Sequence, residues 1–139
     1  MAAPDPQLPQ QAYHSGPHDE LRHLLPYLAG LRAEPVESLG IIPLNGRLGV
    51  IAGLQRVAGG HLMHLTVAPR EVFAPALSLH AAAIVLAHNH PSGDPEPSLE
   101  DRAFTRFMVR AGQLLDVQVL DHIVVTRRAY VSFRRARLM

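Results

Sequence analysis

The chain of 139 residues contains no cysteine. This absence excludes disulfide bonds, thiol nucleophiles and the His/Cys/Cys zinc set of nucleobase deaminases. Long apolar runs are missing as well, because the longest, Ala81 to Ala87, is far shorter than the roughly 20 residues that cross a bilayer. The first residues also lack the basic-then-apolar layout of a secretory signal. We therefore expect a cytoplasmic protein that makes no use of a membrane.

Hydrophobic residues make up 47% of the sequence, which is enough material for the core of one globular domain. Residues 1–18 are rich in proline, glutamine and alanine and show no apolar period, so we expect a flexible tail there. Residues 19–139 are predicted to form a single domain.

Apolar patterning predicts a mixed α/β domain with a central sheet flanked by helices. The turn-forming pairs Asn45-Gly46 and Gly59-Gly60 separate the first three predicted strands, which indicates an antiparallel meander. Two of the predicted helices contain a proline, Pro26 or Pro75, that we expect to kink, end or break them. Strands are predicted at 38–44, 48–57, 61–68, 82–87, 117–126 and 129–133, and helices at 21–28, 69–81 and 98–115.

Two histidines follow the most apolar of these strands. His88 and His90 are two residues apart, and such residues on a strand project to the same side. Both imidazoles can therefore converge on one point while Asn89 turns away. The turn-rich segment from Pro91 to Pro97 then reverses the chain.

A carboxylate follows in the first turn of the next predicted helix. Ser98 stands at the start of that helix, which places Asp101 in its first turn. Two imidazoles and a carboxylate oxygen suit zinc, and three protein ligands leave a fourth position for water, as in catalytic zinc sites. Ser-x-x-Asp is equally typical of a capping box, in which the two side chains close the helix end. These residues alone leave both interpretations open.

The segment from His88 to Asp101 resembles the motif of the JAMM (MPN) metallopeptidases: His-x-His, seven residues, then Ser-x-x-Asp. Its letters His-Asn-His-Pro-Ser-Gly, followed by Pro-Ser and Asp, are similar to the bacterial RadC branch of that family. Residues 69–71, 120–123 and 130–133 also resemble RadC segments, so the likeness runs from about Glu37 to Phe133. The resemblance implies the MPN (JAB) fold, a mixed sheet flanked by helices.

The resemblance also implies a role for each site residue. The zinc ligands fall on His88, His90 and Asp101, and Ser98 helps to stabilise the oxyanion. The family's glutamate near the start of the first core strand, which holds and deprotonates the zinc-bound water, falls on Glu37. The implied function is zinc-dependent hydrolysis of an amide, peptide or isopeptide bond in a protein or peptide substrate.

Several residues compete for these roles. Glu34 and Glu71 are rivals of Glu37, because no motif surrounds the base. Glu37 is alternatively a solvated residue at a strand end, and Glu71 an acidic residue that favours a helix N-terminus. His122 is the rival metal ligand; it follows Asp121 on an apolar strand, and alternation puts the two side chains on opposite faces. We expect a core histidine bonded to a neighbour.

The C-terminal end is basic. Arginine occupies five of the last 13 positions, namely Arg127, Arg128, Arg134, Arg135 and Arg137. Such an edge can contact nucleic acid or an acidic partner, although solvated arginines are the simpler interpretation. Two other functions therefore stay open: a DNA-associated protein of the RadC type, and a scaffold in which zinc only holds the structure.

Overall fold

The computed structural model describes residues 19–59 and 67–139. The predicted tail, residues 1–18, lies outside the described residues. So does the predicted strand 61–68, except for Val67 and Ala68, which lead into a helix and belong to no strand. No helix within the two described ranges is both long and apolar enough to cross a membrane.

Within the described residues, the centre of the fold is a five-stranded mixed sheet with the order β2-β1-β3-β4-β5. β3 and β4 run parallel, and the other neighbouring strands run antiparallel. The predicted mixed α/β class is confirmed. The strands are β1 (Ser38–Leu44), β2 (Gln55–Gly59), β3 (Ala83–Asn89), β4 (Gln118–Val125) and β5 (Tyr130–Ser132).

Helices cover both faces of this sheet. A 3-10 helix, Asp19–Leu28, continues into α1 (Ala29–Arg32), and these pack on one face. On the other face lie α2 (Pro69–Ser78) and α3 (Leu99–Leu115). Alternate residues of the central strand β3 serve the two layers: Ile84 and Leu86 face α2 and α3, whereas Val85 faces the 3-10 helix.

The second strand begins later than the sequence predicts. Asn45 forms a closed turn, because its N–H donates to Gly49 O and its Oδ1 accepts from Gly49 N, both at 2.9 Å. Leu48 has a φ of 63° in this turn, a conformation that a strand does not contain. Val50 therefore makes only an isolated bridge to Leu44 before β2 begins at Gln55. The antiparallel pairing of β1 and β2 is as predicted.

The two helical prolines do not end or divide their helices. Pro26 lies within the 3-10 helix, which runs on into α1, and Pro75 lies within the single helix α2. Of the two outcomes expected at Pro75, a kink or a break into two segments, the break does not occur. Val72 and Phe73 of α2 are fully buried, and this packing offsets the hydrogen bond that proline cannot donate.

The long helix α3 buries a narrower face than its apolar residues suggest. Phe104 and Met108 are in the core, whereas Phe107 is 54% and Leu114 is 89% exposed. α3 lies close to the sheet at Gly112, where an added Cβ would stand 2.4 Å from the carbonyl oxygen of Val117.

This close approach predicts that Gly112→Ala destabilises the protein by about 1 to 3 kcal/mol, because the new methyl group meets backbone and not a flexible side chain. The measurement is the free energy of unfolding in urea. Gly30→Ala is the matched control, since nothing lies within 4 Å of its added Cβ. Gly30 lies in α1, and alanine at this position should leave the free energy of unfolding unchanged or raise it by up to about 1 kcal/mol. Equal stability of the two variants would contradict the packing described.

Candidate metal centre

The candidate site lies at the edge of the sheet where β3 ends and β1 begins. His88 is on the side of β3 that faces α3, and His90 follows just after the strand. Leu39 of β1 pairs with His88, and Glu37, two residues earlier, is directed toward the same side. Asp101 comes from the first turn of α3. Three separate elements thus deliver four side chains to one place.

Four ligand atoms, one from each of these side chains, lie within 4.8 Å of one another. His88 Nε2 is 2.9 Å from His90 Nε2 and 3.2 Å from Asp101 Oδ1. His90 Nε2 is 3.1 Å from Asp101 Oδ2. Glu37 Oε1 lies 3.7 Å from His88 Nε2 and 3.8 Å from His90 Nε2. We call Glu37, His88, His90 and Asp101 the metal cluster.

The hydrogen-bond partners of His90 indicate why the cluster suits a cation. His90 Nδ1 lies 2.9 Å from the carbonyl oxygen of Asp94, which only accepts hydrogen bonds. His90 therefore donates through Nδ1, and in the neutral ring its Nε2 presents a lone pair. That lone pair is directed at His88 Nε2 and at the Asp101 carboxylate. With a neutral His90 ring, Nε2 and the Asp101 carboxylate are both acceptors, so either a proton on Nε2 or a metal ion must lie between them. Imidazole with carboxylate is a common donor set for transition metals.

Burial distinguishes an inner and an outer part of the cluster. The side chains of His88 and Asp101 are completely buried, whereas those of His90 and Glu37 are 14% and 26% exposed. Burial lowers the pKa of His88, with the opposing influence of Asp101 second. The hydrogen bond to Asp101 raises the pKa of His90, which burial partly opposes. A metal must displace protons from such ligands, so its affinity depends on pH. Among the residues that the structure describes, His90 and Glu37 form the side of the cluster that solvent reaches.

Asp101 takes part in both arrangements that its sequence motif suggests, a capping box and a group of side chains that could hold a metal. Its backbone N–H donates to Ser98 Oγ at 3.0 Å, and its Oδ2 accepts from Ser98 N at 2.8 Å, so the capping box is real. The same carboxylate lies against both imidazoles of the metal cluster. Ser98 uses its oxygen as an acceptor in this box, which leaves its hydroxyl proton able to donate.

The segment that carries Glu37 is held by Asn89. Asn89 Oδ1 accepts from Ser38 N at 2.6 Å, and its Nδ2 donates to the carbonyl oxygens of Glu34 at 3.1 Å and Val36 at 3.0 Å. Asn89 does turn away from the two histidines, as predicted. These three hydrogen bonds fix the chain on both sides of Glu37.

The rivals of Glu37 have other partners. Glu34 forms an ion pair with Arg56. Glu71 is exposed, and its Oε2 accepts from Ala68 N at 2.8 Å, so it closes the start of α2. Of the three glutamates, Glu37 is the one within the metal cluster. His122 is a fully buried histidine bonded to its neighbours, as expected, and does not belong to the cluster.

The C-terminal arginines do not form one edge. Arg127 and Arg128, in the turn between β4 and β5, line a cavity of about 500 Å³ that also reaches His90. Arg32 positions this turn, because its guanidinium donates to the carbonyl oxygens of Thr126 at 2.9 Å and Arg127 at 3.3 Å. Arg134, Arg135 and Arg137 follow β5 and do not line this cavity. Of the C-terminal arginines, only the two in the turn share this cavity with His90, and Arg32 adds a third guanidinium to its lining.

Comparison with known proteins agrees with this architecture. The chain belongs to the RadC-like JAB domain family, whose model matches residues 16–138. A UPF0758 protein of Symbiobacterium thermophilum is 44% identical over 123 residues, which are 88% of this chain and 51% of that protein. A UPF0758 protein of Thermotoga maritima is 42% identical over 98 residues, 70% of this chain and 44% of the relative. The chain thus spans about half the length of the curated relatives it matches.

The geometry predicts that the protein binds about one divalent metal ion per chain and that His88→Ala abolishes this binding, since an open three-ligand site tolerates little loss. Elemental analysis by mass spectrometry measures the metal. His23→Ala, which removes an exposed histidine outside the cluster, should bind metal normally.

The secondary structure should survive the loss of metal, because the two apolar clusters of the core contain none of these ligands. Far-UV circular dichroism of His88→Ala tests this. Unfolding of the variant would favour a purely structural metal, and a full metal content in it would contradict the ligand assignment.

Proposed function

We propose that this chain is a zinc-dependent metallohydrolase of the RadC branch that cleaves an amide, peptide or isopeptide bond. The observation that carries the proposal is the arrangement of the metal cluster: His88 and Asp101 are fully buried, His90 joins them from the partly exposed side, and a second carboxylate, Glu37, stands at that open side. A site that served only structure would be closed by a fourth ligand.

The donor set favours zinc over harder cations. His88 Nε2, His90 Nε2 and one Asp101 oxygen give two nitrogens and one oxygen, whereas calcium and magnesium prefer oxygen alone. A zinc ion held by these residues supplies Lewis acidity and makes water acidic enough to lose a proton near neutral pH.

Glu37 provides the base. Its Oε1 stands within 4 Å of both imidazole nitrogens and its side chain is partly exposed, so it can reach a water molecule and the solvent side at once. Oε1 accepts the proton of the attacking water and then passes it to the leaving amine. The Ser98 hydroxyl donates to the carbonyl oxygen of the substrate, where negative charge develops.

The cavity beside His90 receives part of the substrate. Its walls include the turn with Arg127 and Arg128 and the segment from Pro91 to Gly93. A protein or peptide strand laid along this opening brings a backbone or side-chain amide to the metal cluster.

Glu37→Gln tests the mechanism because glutamine keeps the shape of the side chain and removes its basicity. Hydrolysis of a fluorogenic peptide or isopeptide probe should fall by about 10²-fold or more, while metal content and the unfolding midpoint stay unchanged. Glu71→Gln is the matched control and should retain full activity.

Two other results for Glu37→Gln would each contradict a different part of the proposed mechanism. Full activity in Glu37→Gln would place the base elsewhere. Loss of metal in that variant would make Glu37 a ligand and overturn the water-activation scheme.

Nucleic acid is the second candidate partner, and the position of Arg127 and Arg128 beside the metal cluster favours it. The plot of log affinity for duplex DNA against log salt concentration has a negative slope when arginines contact phosphates. If Arg127 and Arg128 both do so, the magnitude of this slope should fall by about 1 to 2 in the double variant Arg127→Ala/Arg128→Ala. Arg134→Ala/Arg137→Ala, two exposed arginines beyond β5, is the charge-matched control. An unchanged slope, or no DNA binding by the parent protein at low salt, excludes this candidate.

A further inference from the structure

The second ring nitrogen of His88 is directed into the protein interior. Its Nδ1 lies 2.6 Å from Nε2 of His122, and His122 Nδ1 lies 2.6 Å from Oγ1 of Thr105. Thr105 Oγ1 in turn donates to the backbone oxygen of Asp101 at 2.7 Å. His88 and Asp101, which meet in the metal cluster, are thus joined a second time through His122 and Thr105.

In the neutral state of both imidazoles, the backbone oxygen of Asp101 at the end of this series sets the direction of each hydrogen bond in it. A carbonyl oxygen only accepts, so the Thr105 hydroxyl proton is directed to Asp101 O. The Thr105 oxygen then accepts the proton on His122 Nδ1, which leaves a lone pair on His122 Nε2. That lone pair accepts from His88 Nδ1, and the lone pair of His88 is consequently on Nε2, the atom that lies in the metal cluster.

Burial requires that each of these hydrogen bonds be formed, because no solvent can replace a lost partner. Thr105, His122 and His88 are each fully buried. A polar atom that lost its partner at this depth would leave an uncompensated donor or acceptor, which destabilises the folded protein. His122 is also held in place by Phe133, whose ring stacks on it at a centroid distance of 4.6 Å and an angle of 18°. The imidazole therefore has a defined position as well as a defined tautomer.

An irregularity of the sheet places His122 here. The register between β3 and β4 shifts between the pairs Ile84–Val119 and Val85–Asp121, so Leu120 is an extra residue. Strict alternation from the buried Val119 would direct Asp121 toward α3 and His122 away from it. The extra residue reverses that order, as bulges beside functional sites often do.

We propose that Thr105 and His122 are positioning residues that hold His88 in the tautomer with its proton on Nδ1, and thereby present Nε2 to the metal. The inference rests on the metal site of the proposed function but not on hydrolysis. Partners that orient a ligating histidine in this way typically account for 10- to 100-fold in metal affinity.

Two nearly isosteric substitutions test the role of Thr105. Thr105→Val removes the hydroxyl, whereas Thr105→Ser retains it. Zinc affinity, measured by competition with a chromogenic chelator, should fall by about 10- to 100-fold in the valine variant and return to within about threefold of the parent in the serine variant. The unfolding midpoint of each metal-free protein reports any general loss of stability separately.

The tautomer itself is visible without metal. In the metal-free parent protein, ¹⁵N shifts of the His88 ring should show the proton on Nδ1, and in Thr105→Val this preference should weaken. A second pair of variants tests His122. His122→Phe keeps an aromatic ring beside Phe133 but accepts no hydrogen bond, whereas His122→Gln keeps one acceptor and one donor. We expect the glutamine variant to bind zinc more tightly than the phenylalanine variant.

Parent-like zinc affinity together with an unchanged His88 tautomer in Thr105→Val would overturn the inference. So would a parent His88 with its proton on Nε2. If the parent protein bound no metal at all, the proposed function would fail, yet the ¹⁵N measurement would still decide whether Thr105 and His122 set the tautomer. The two failures are therefore distinguishable.

Discussion

The buried carboxylate of Asp101 is the group on which the site depends. It has no exposure to solvent, yet it lies against both imidazoles and accepts the N–H of Ser98. A buried charge needs compensation, and here the helix N-terminus, the capping box and the cation that the cluster can hold provide it. The cap at the start of α3 and the cluster that could hold a metal thus share the same side chain.

Strand alternation organises the surroundings of this carboxylate. His88 is directed toward α3, where Asp101 and Thr105 meet it, whereas Asn89 is directed to the opposite side and holds the segment before β1. One short strand end therefore supplies a candidate metal ligand and, through its neighbour, the anchor of the candidate base. The arginines of the β4–β5 turn add positive charge at the open side.

Much of this arrangement could be predicted from local patterns. The separation of His88 and His90 by one residue, and the place of Asp101 in the first turn after a capping serine, indicate a shared site because strand and helix periodicities are regular. The extent of β2 and the course of α2 through Pro75 could not be predicted in the same way. A positive φ at Leu48 closes the chain into a turn, and the burial of Val72 and Phe73 overrides the preference of proline.

The sequence by itself determined the candidate ligands, the mixed α/β class and the family, since each depends on residues close together or on a specific motif. Only the tertiary structure shows which of Glu34, Glu37 and Glu71 lies in the metal cluster, because that depends on contacts between residues far apart in the sequence. Only the tertiary structure also decided the direction of the His122 side chain. Alternation requires that either Asp121 or His122 face the site, and the extra residue Leu120, set by pairing with β3, determines that it is the histidine.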